Sequence, residues 1–159
     1  MPAHVVYPAL DPSGMLATVS APIQTGLLRE ELGFTGLIVT DDMGMADITE
    51  IYPPGESAAR AVEAGADLIT CVRMTLDGAC PPEMLRQLRD GLLQAVTDGR
   101  ISRERIDASV RRIVATKSRY HVGAASGDGL TAIRGGDHFQ ALADLLAMVA
   151  VRQEEAGRP

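Results

Sequence analysis

The 159-residue sequence contains no tryptophan, and aromatic residues make up only 3% of it. Its core must therefore be aliphatic, packed from Leu, Ile, Val, Ala and Met. Lysine is almost missing as well. Lys117 is the only one, the formal net charge is −6, and no basic block or basic–aromatic interleaving occurs. A nucleic-acid surface needs clustered positive charge against phosphates, so that class of partner is not expected. The two cysteines, Cys71 and Cys80, follow neither metal-ligand nor redox spacing. Cys71 falls inside an apolar run and reads as a small core residue. No apolar segment approaches the roughly 20 residues that cross a bilayer, so no membrane partner is expected. The N-terminus, MPAHVVYPALDPSG, lacks the charged start and apolar stretch of a signal peptide. Localisation stays open, and is cytoplasmic only if Met1 is the native start.

What is present is an alternation of apolar runs and helical periods. Ala3 to Tyr7 is a short apolar run closed by Pro8 and the turn-forming Asp11-Pro-Ser-Gly14. Ser20 then suits a helix cap, with Pro22 in the first turn, Ile23, Leu27, Leu28 and Leu32 at helical spacing, and Gly33 as the stop. Leu37 to Thr40 is a second apolar run. An Ala-rich helix is expected across about Glu56 to Glu63, ended by Gly65, and Ala66 to Val72 is a third run. Pro81 and Pro82 open another helix with an apolar stripe of Leu85, Leu88, Leu92 and Val96. Ser102 caps one more, striped by Ile106, Val110, Ile113 and Val114. The charges of that last helix, Arg103, Glu104, Arg105, Arg111 and Arg112, read as a solvated face. Residues 122–137 form a Gly-rich linker, and 138–159 a terminal amphipathic helix and polar tail.

Strands that are apolar throughout are buried on both faces, and their alternation with helices implies a parallel sheet in an α/β fold. Three such strands cannot close a barrel and leave two unpaired edges. A complete (β/α)8 barrel takes roughly 250 residues. The pattern fits a small open sheet or the last part of a larger barrel.

The run "GFTGLIVTDDMGM" (33–45) ends in two adjacent carboxylates, Asp41 and Asp42. In parallel α/β folds the active site lies beyond the carboxyl ends of the strands, which is where this pair falls. One Asp can aim into the site while its neighbour supports the loop. A purely local turn role is the rival reading for Asp42. Three chemistries use a strand-end Asp. A phosphoacceptor receiver would need an acceptor Asp and a lysine ending later strands, and "ADLITCV" and Lys117 supply neither. Magnesium-dependent phosphoryl transfer needs more carboxylates and a phosphate cradle, and no glycine-rich phosphate loop is present. Glycoside hydrolysis needs one ionised carboxylate to attack the anomeric carbon and a second group to protonate the leaving oxygen.

The same residues resemble the nucleophile segment of glycoside hydrolase family 3, in its β-N-acetylhexosaminidase branch. The β-glucosidase branch usually carries S-D-W after this strand, and that Trp is lacking here. "MPAHVVYPALDP" is similar to the family's preceding strand and "LLREELGF" to the helix between. "AVEAGADLITCV" resembles the last barrel strand, and "DGRISRERIDASVRRIVATK" the closing helices. The resemblance covers about residues 1–120 in order and spacing. It implies the C-terminal part of a (β/α)8 barrel over 1–121, about the last three β/α units plus closing helices. It implies Asp41 as the nucleophile of a retaining mechanism, Asp42 as polar support, and a carbohydrate substrate with no cofactor or metal. His4 and Met45 fall at positions expected to line the sugar site, with a hydrogen-bonded structural His and simple packing as their rival readings.

One departure is large. The branch's acid/base His lies on a loop after a K-H-F-P-G-H-G-like segment, and nothing similar occurs in these 159 residues. His121 and His138 are not in that context. Residue 1 then corresponds to about the sixth of eight strands. Little or no turnover is expected of the chain alone. The alternatives are a non-catalytic module that complements a chain supplying the other strands, or a family member acting on another β-glycoside.

Overall fold

A computed structural model describes residues 1–72 and 81–120. Two strands make its sheet: β1, Val39–Asp42, and β2, Leu68–Thr70, paired in parallel. Between them the chain crosses over through a short helix, α1 (Ala46–Thr49), and a longer one, α2 (Pro54–Ala64). Two further helices follow β2: α3 (Pro82–Thr97) and α4 (Arg103–Arg119). The described part forms one unit over Met1–Thr116; a second unit begins at Lys117, of which only residues 117–120 are described. The expected linker at 122–137 and helix at 138–159 lie outside the described residues, as do Cys80, His121 and His138. No described helix is long and apolar enough to cross a membrane.

Local chemistry accounts for most element ends. Pro53 and Pro54 open α2, and Gly65 closes it at φ 135°, a conformation that side chains rarely adopt. Ser102 accepts the Arg105 amide proton through its hydroxyl at 3.2 Å and starts α4. Ser20 accepts the Ile23 amide proton at 3.3 Å where the Pro22–Glu31 helix begins. That helix is wound with π-type i→i+5 bonds, as between the Leu32 amide and the Leu27 carbonyl. The wider turn changes which residues face inward: Ile23 and Gln24 are buried, whereas Leu32 is exposed.

Four expectations are corrected. The run Ala3–Tyr7 is not a sheet strand; the chain reverses after it, with the Leu10 and Asp11 amides donating to the Tyr7 carbonyl. Its bridge pairing among the described residues is a single antiparallel one, Val6 with Leu16, beside the Ala17 amide donating to the Val5 carbonyl at 2.8 Å. The sheet therefore has two strands among the described residues, not three. β1 also begins later than Leu37, so Asp41 and Asp42 are its last two residues instead of lying beyond it. On α3 it is Met84, Leu88 and Ala95 that are buried, and Leu85 faces out. On α4 Val110 and Val114 are exposed, Ser109 is buried, and Arg105 and Arg112 turn inward to a buried carboxylate.

The core is aliphatic, as the composition requires. Leu16, Val19, Ile38, Met43, Ile48, Met84 and Leu88 pack with alanines of α2. The Ala-rich face of α2 lets α3 approach so closely that Gly55 and Gly91 lie backbone to backbone. A Cβ on Gly91 would overlap the Gly55 main chain.

Candidate active site

The geometry around the carboxylate pair starts with an irregularity in the ladder. Val39 pairs with Leu68 and Asp42 with Thr70, so β1 carries one more residue than β2 across the same span. The Thr40 hydroxyl accepts the Thr70 amide proton at 2.9 Å and satisfies the donor that the irregular pairing displaces. Extra residues of this kind bend a strand and re-aim the side chains that follow. Here those side chains are Asp41 and Asp42.

The two carboxylates have different environments. Asp42 Oδ1 accepts two backbone protons, from Gly44 at 2.9 Å and from Val72 at 2.7 Å. The first bond closes the turn after β1, and the second ties the end of β1 to the residues just beyond β2. Among the described residues Asp41 accepts only the Asp42 amide proton, at 2.8 Å on Oδ1. Its other oxygen has no bonding partner among the described residues, and the side chain is half-buried. One carboxylate is thus occupied as a strut, and the other presents a free oxygen at a strand end.

His4 lies beside them, but not as a group open to a ligand. It is buried, with Nε2 on the Asp42 carbonyl at 2.9 Å and Nδ1 on the Thr18 hydroxyl at 2.8 Å. Both ring nitrogens are therefore taken up by the protein. Met45 is exposed just past the pair, where its backbone opens α1. Thr18, the Thr40 hydroxyl and the Val72 amide belong to the same cluster and were not anticipated from sequence. Only the doubled Asp announces it there, since the contacts that join His4, Thr18 and Val72 to it span 14 to 38 residues of chain.

A second polar cluster lies at the opposite, N-terminal ends of the strands. Asp67 is buried and receives Arg29, Arg105 and Arg112, the Ser109 hydroxyl at 2.8 Å and the Ile38 amide proton at 3.0 Å. Burial is the main cause holding the Arg29 and Arg105 guanidiniums below their usual pKa, and the Asp67 charge opposes it. A concavity of about 380 Å³ lies elsewhere, lined in part by Asp11, Ser13, Arg60 and Glu63 and by none of His4, Asp41 or Asp42. Among the described residues no three of His, Cys, Asp and Glu are grouped so as to hold a metal ion.

The chain is similar to several known proteins. Residues 1–116 match the glycosyl hydrolase family 3 N-terminal domain. A β-hexosaminidase A of Pseudoalteromonas piscicida is 29% identical over 96% of this chain and 27% of its own length. A β-hexosaminidase of Alkalilimnicola ehrlichii is 39% identical over 57% of this chain and 24% of its own. The solved structure of a family 3 β-N-acetylglucosaminidase from Paenibacillus sp. FPU-7 superposes with a TM-score of 0.71 at 46% identity, over 79% of this chain and 22% of that one. The chain thus spans about a quarter of the length of these relatives. It belongs to glycosyl hydrolase family 3.

Proposed function

We propose that this chain is the nucleophile-bearing part of a retaining β-N-acetylhexosaminidase, contributing the C-terminal part of a (β/α)8 barrel, of which two strands and the closing helices lie among the described residues. Asp41 is its nucleophile. The observation that carries the reading is the unequal use of the two carboxylates: Asp42 is held by two amides, while Asp41, at the carboxyl end of a parallel strand, keeps an oxygen with no partner among the described residues. In the first step that oxygen attacks the anomeric carbon, the bond to the leaving oxygen breaks, and its electron pair departs with the aglycone. Water then cleaves the glycosyl ester, releasing the sugar with its configuration retained.

The aglycone needs a proton as it leaves, and none of His4, Asp42 or Met45 is free to give one. General acid catalysis is worth about 10²- to 10⁴-fold, so the chain alone turns over ordinary glycosides poorly. The proton donor and the other strands come from a second polypeptide in the complementation reading. Its support is the exposed apolar surface of Val5, Val6 and Tyr7 and of Leu68 and Val72, around the two-stranded ladder.

A glycosyl fluoride removes the need for the acid, because fluoride departs without a proton. Incubation of the full chain with 2-acetamido-2-deoxy-5-fluoro-β-glucosyl fluoride is expected to leave one sugar on the peptide containing Asp41, and none on the Asp41→Asn chain. A label on any other residue, or none on the wild type, overturns the nucleophile assignment. Rapid Asp41-dependent hydrolysis of an unactivated alkyl glycoside overturns the missing-acid part. A monodisperse monomer on gel filtration counts against complementation.

A further inference from the structure

Asp41 owes its orientation to one bond, the Asp42 amide proton at 2.8 Å, so whatever fixes the Asp42 backbone also fixes Asp41. The ladder fixes part of it, with the Met43 amide donating to the Thr70 carbonyl at 2.8 Å, and three further contacts add to it. Two belong to the Asp42 side chain, on Gly44 and Val72. The third comes from a residue 38 positions earlier, His4, whose Nε2 sits 2.9 Å from the Asp42 carbonyl.

The partners of the ring determine its tautomer. A carbonyl oxygen can only accept, so Nε2 must carry a hydrogen and donate it to Asp42. In the neutral ring Nδ1 is then the acceptor, and the Thr18 hydroxyl donates to it at 2.8 Å. The alternative acceptor for that hydroxyl, the Pro2 carbonyl, is 3.3 Å away. Thr18 is itself fully buried, and its own carbonyl accepts the Gln24 side-chain amide at 2.6 Å. A buried relay runs from Gln24 through Thr18 and His4 to the peptide after Asp42. No member of this relay is open to solvent or substrate.

We infer that His4 is a positioning residue for the nucleophile: its Nε2–H, aimed by the Thr18 hydroxyl, fixes the Asp42–Met43 peptide and with it the Asp42 torsions that set where the preceding amide proton meets the Asp41 carboxylate. This rests on the reading of Asp41 as nucleophile, and assigns His4 a part in the reaction without contact with sugar. Bulk at the site is not its purpose; a donor at the Nε2 position is. Glutamine can place an N–H near that point while its carbonyl oxygen accepts from Thr18. Alanine and valine cannot.

The test separates geometry from chemistry. In the full chain the Asp42 amide resonance is first identified as carboxylate-bonded by its upfield move in Asp41→Asn. His4→Ala is expected to move the same resonance upfield while amides of α2 stay in place, and His4→Gln to restore it. Labelling of Asp41 by the glycosyl fluoride is expected to fall roughly tenfold in His4→Ala, since small misplacements of a reacting group carry large rate costs, and to recover in His4→Gln. Should His4→Ala not fold, Thr18→Val removes only the hydroxyl that aims the ring and must give the same amide shift. An Asp42 amide unmoved in these variants overturns the inference. An amide that moves as expected in a wild-type chain that takes no label overturns the glycosidase reading instead, and upholds the placement of the carboxylate.

Discussion

Asp42 and Asp67 lie at opposite ends of the same two-stranded ladder, and the protein satisfies them by opposite means. Asp67, at the start of β2, is met by three arginines, a hydroxyl and an amide. Asp42, at the end of β1, is met by backbone amides alone, and its neighbour Asp41 by one more. Guanidiniums neutralise a carboxylate and fasten it; amide dipoles hold it without cancelling its charge. The first arrangement suits a joint. Through Asp67 the π-wound helix, β1, β2 and α4 are tied at one point. The second suits a site in which a carboxylate must stay ionised with an oxygen free to attack.

The comparison breaks most visibly at Asp67. Asp67→Asn keeps the shape but leaves Arg29, Arg105 and Arg112 around a neutral group. Removing one partner of a buried ion pair costs about 3–5 kcal/mol, because the remaining charge stays buried without compensation. A loss of that size is expected in urea unfolding of the full chain. The folded fraction should still take the glycosyl label on Asp41, since the joint and the site share no side chain. A stability loss within experimental error would mean that the arginines find water as readily as they find Asp67.

How much of this could be read in advance depends on the range of the interaction. α2, α3 and α4 begin and end near where Pro54, Gly65, Pro82 and Ser102 place them, because capping and φ are local properties. Apolar run length does not report pairing. Ala3–Tyr7 and Ala66–Val72 look alike as runs, yet one makes a single bridge and the other only a three-residue strand. The doubled Asp marked the site, but the extra residue in β1 and the reach of His4 to the Asp42 carbonyl are tertiary facts without a signal in the chain. Asp67 is a different case. A lone Asp in an apolar run demands partners. Arg105, Ser109 and Arg112, spaced by four and three, share one face of α4. That face looked solvated only because charge on a helix usually is.

Asp42 should break more gently. Asp42→Ala deprives the Gly44 and Val72 amides of their acceptor, but Val72 is exposed and its amide can turn to water. A loss of about 1–2 kcal/mol is expected in the same unfolding experiment. Asp42→Asn, which keeps an oxygen acceptor, should lose less. The ranking is the point: Asp67 exceeds Asp42 in stability, and Asp42 exceeds Asp67 in its effect on labelling of Asp41. If the two variants rank the same way in both measurements, joint and site are not separable.

A third carboxylate sharpens the comparison with the smallest effect. Asp11 is held by hydroxyls: Oδ1 accepts the Ser13 hydroxyl at 2.6 Å and the Ser13 amide at 3.0 Å, and Oδ2 accepts the Ser20 hydroxyl. The Ser13 hydroxyl first, then that of Ser20 and the Ser13 amide, hold its carboxyl below the ordinary value of 3.8. A folded pKa below the unfolded one means stability that is complete above the unfolded value and is lost as pH falls through the folded one. Because Ser20 also accepts the Ile23 amide proton, that loss is transmitted to the start of the π-wound helix. The stability difference between wild type and Asp11→Asn, followed by urea midpoint, should be constant above the carboxylate range and shrink from pH 3.8 downward. A difference that stays flat to lower pH would show that the serines bond Asp11 as well protonated as ionised. The hydroxyl-held carboxylate would then act as a strut whose charge adds nothing to the fold.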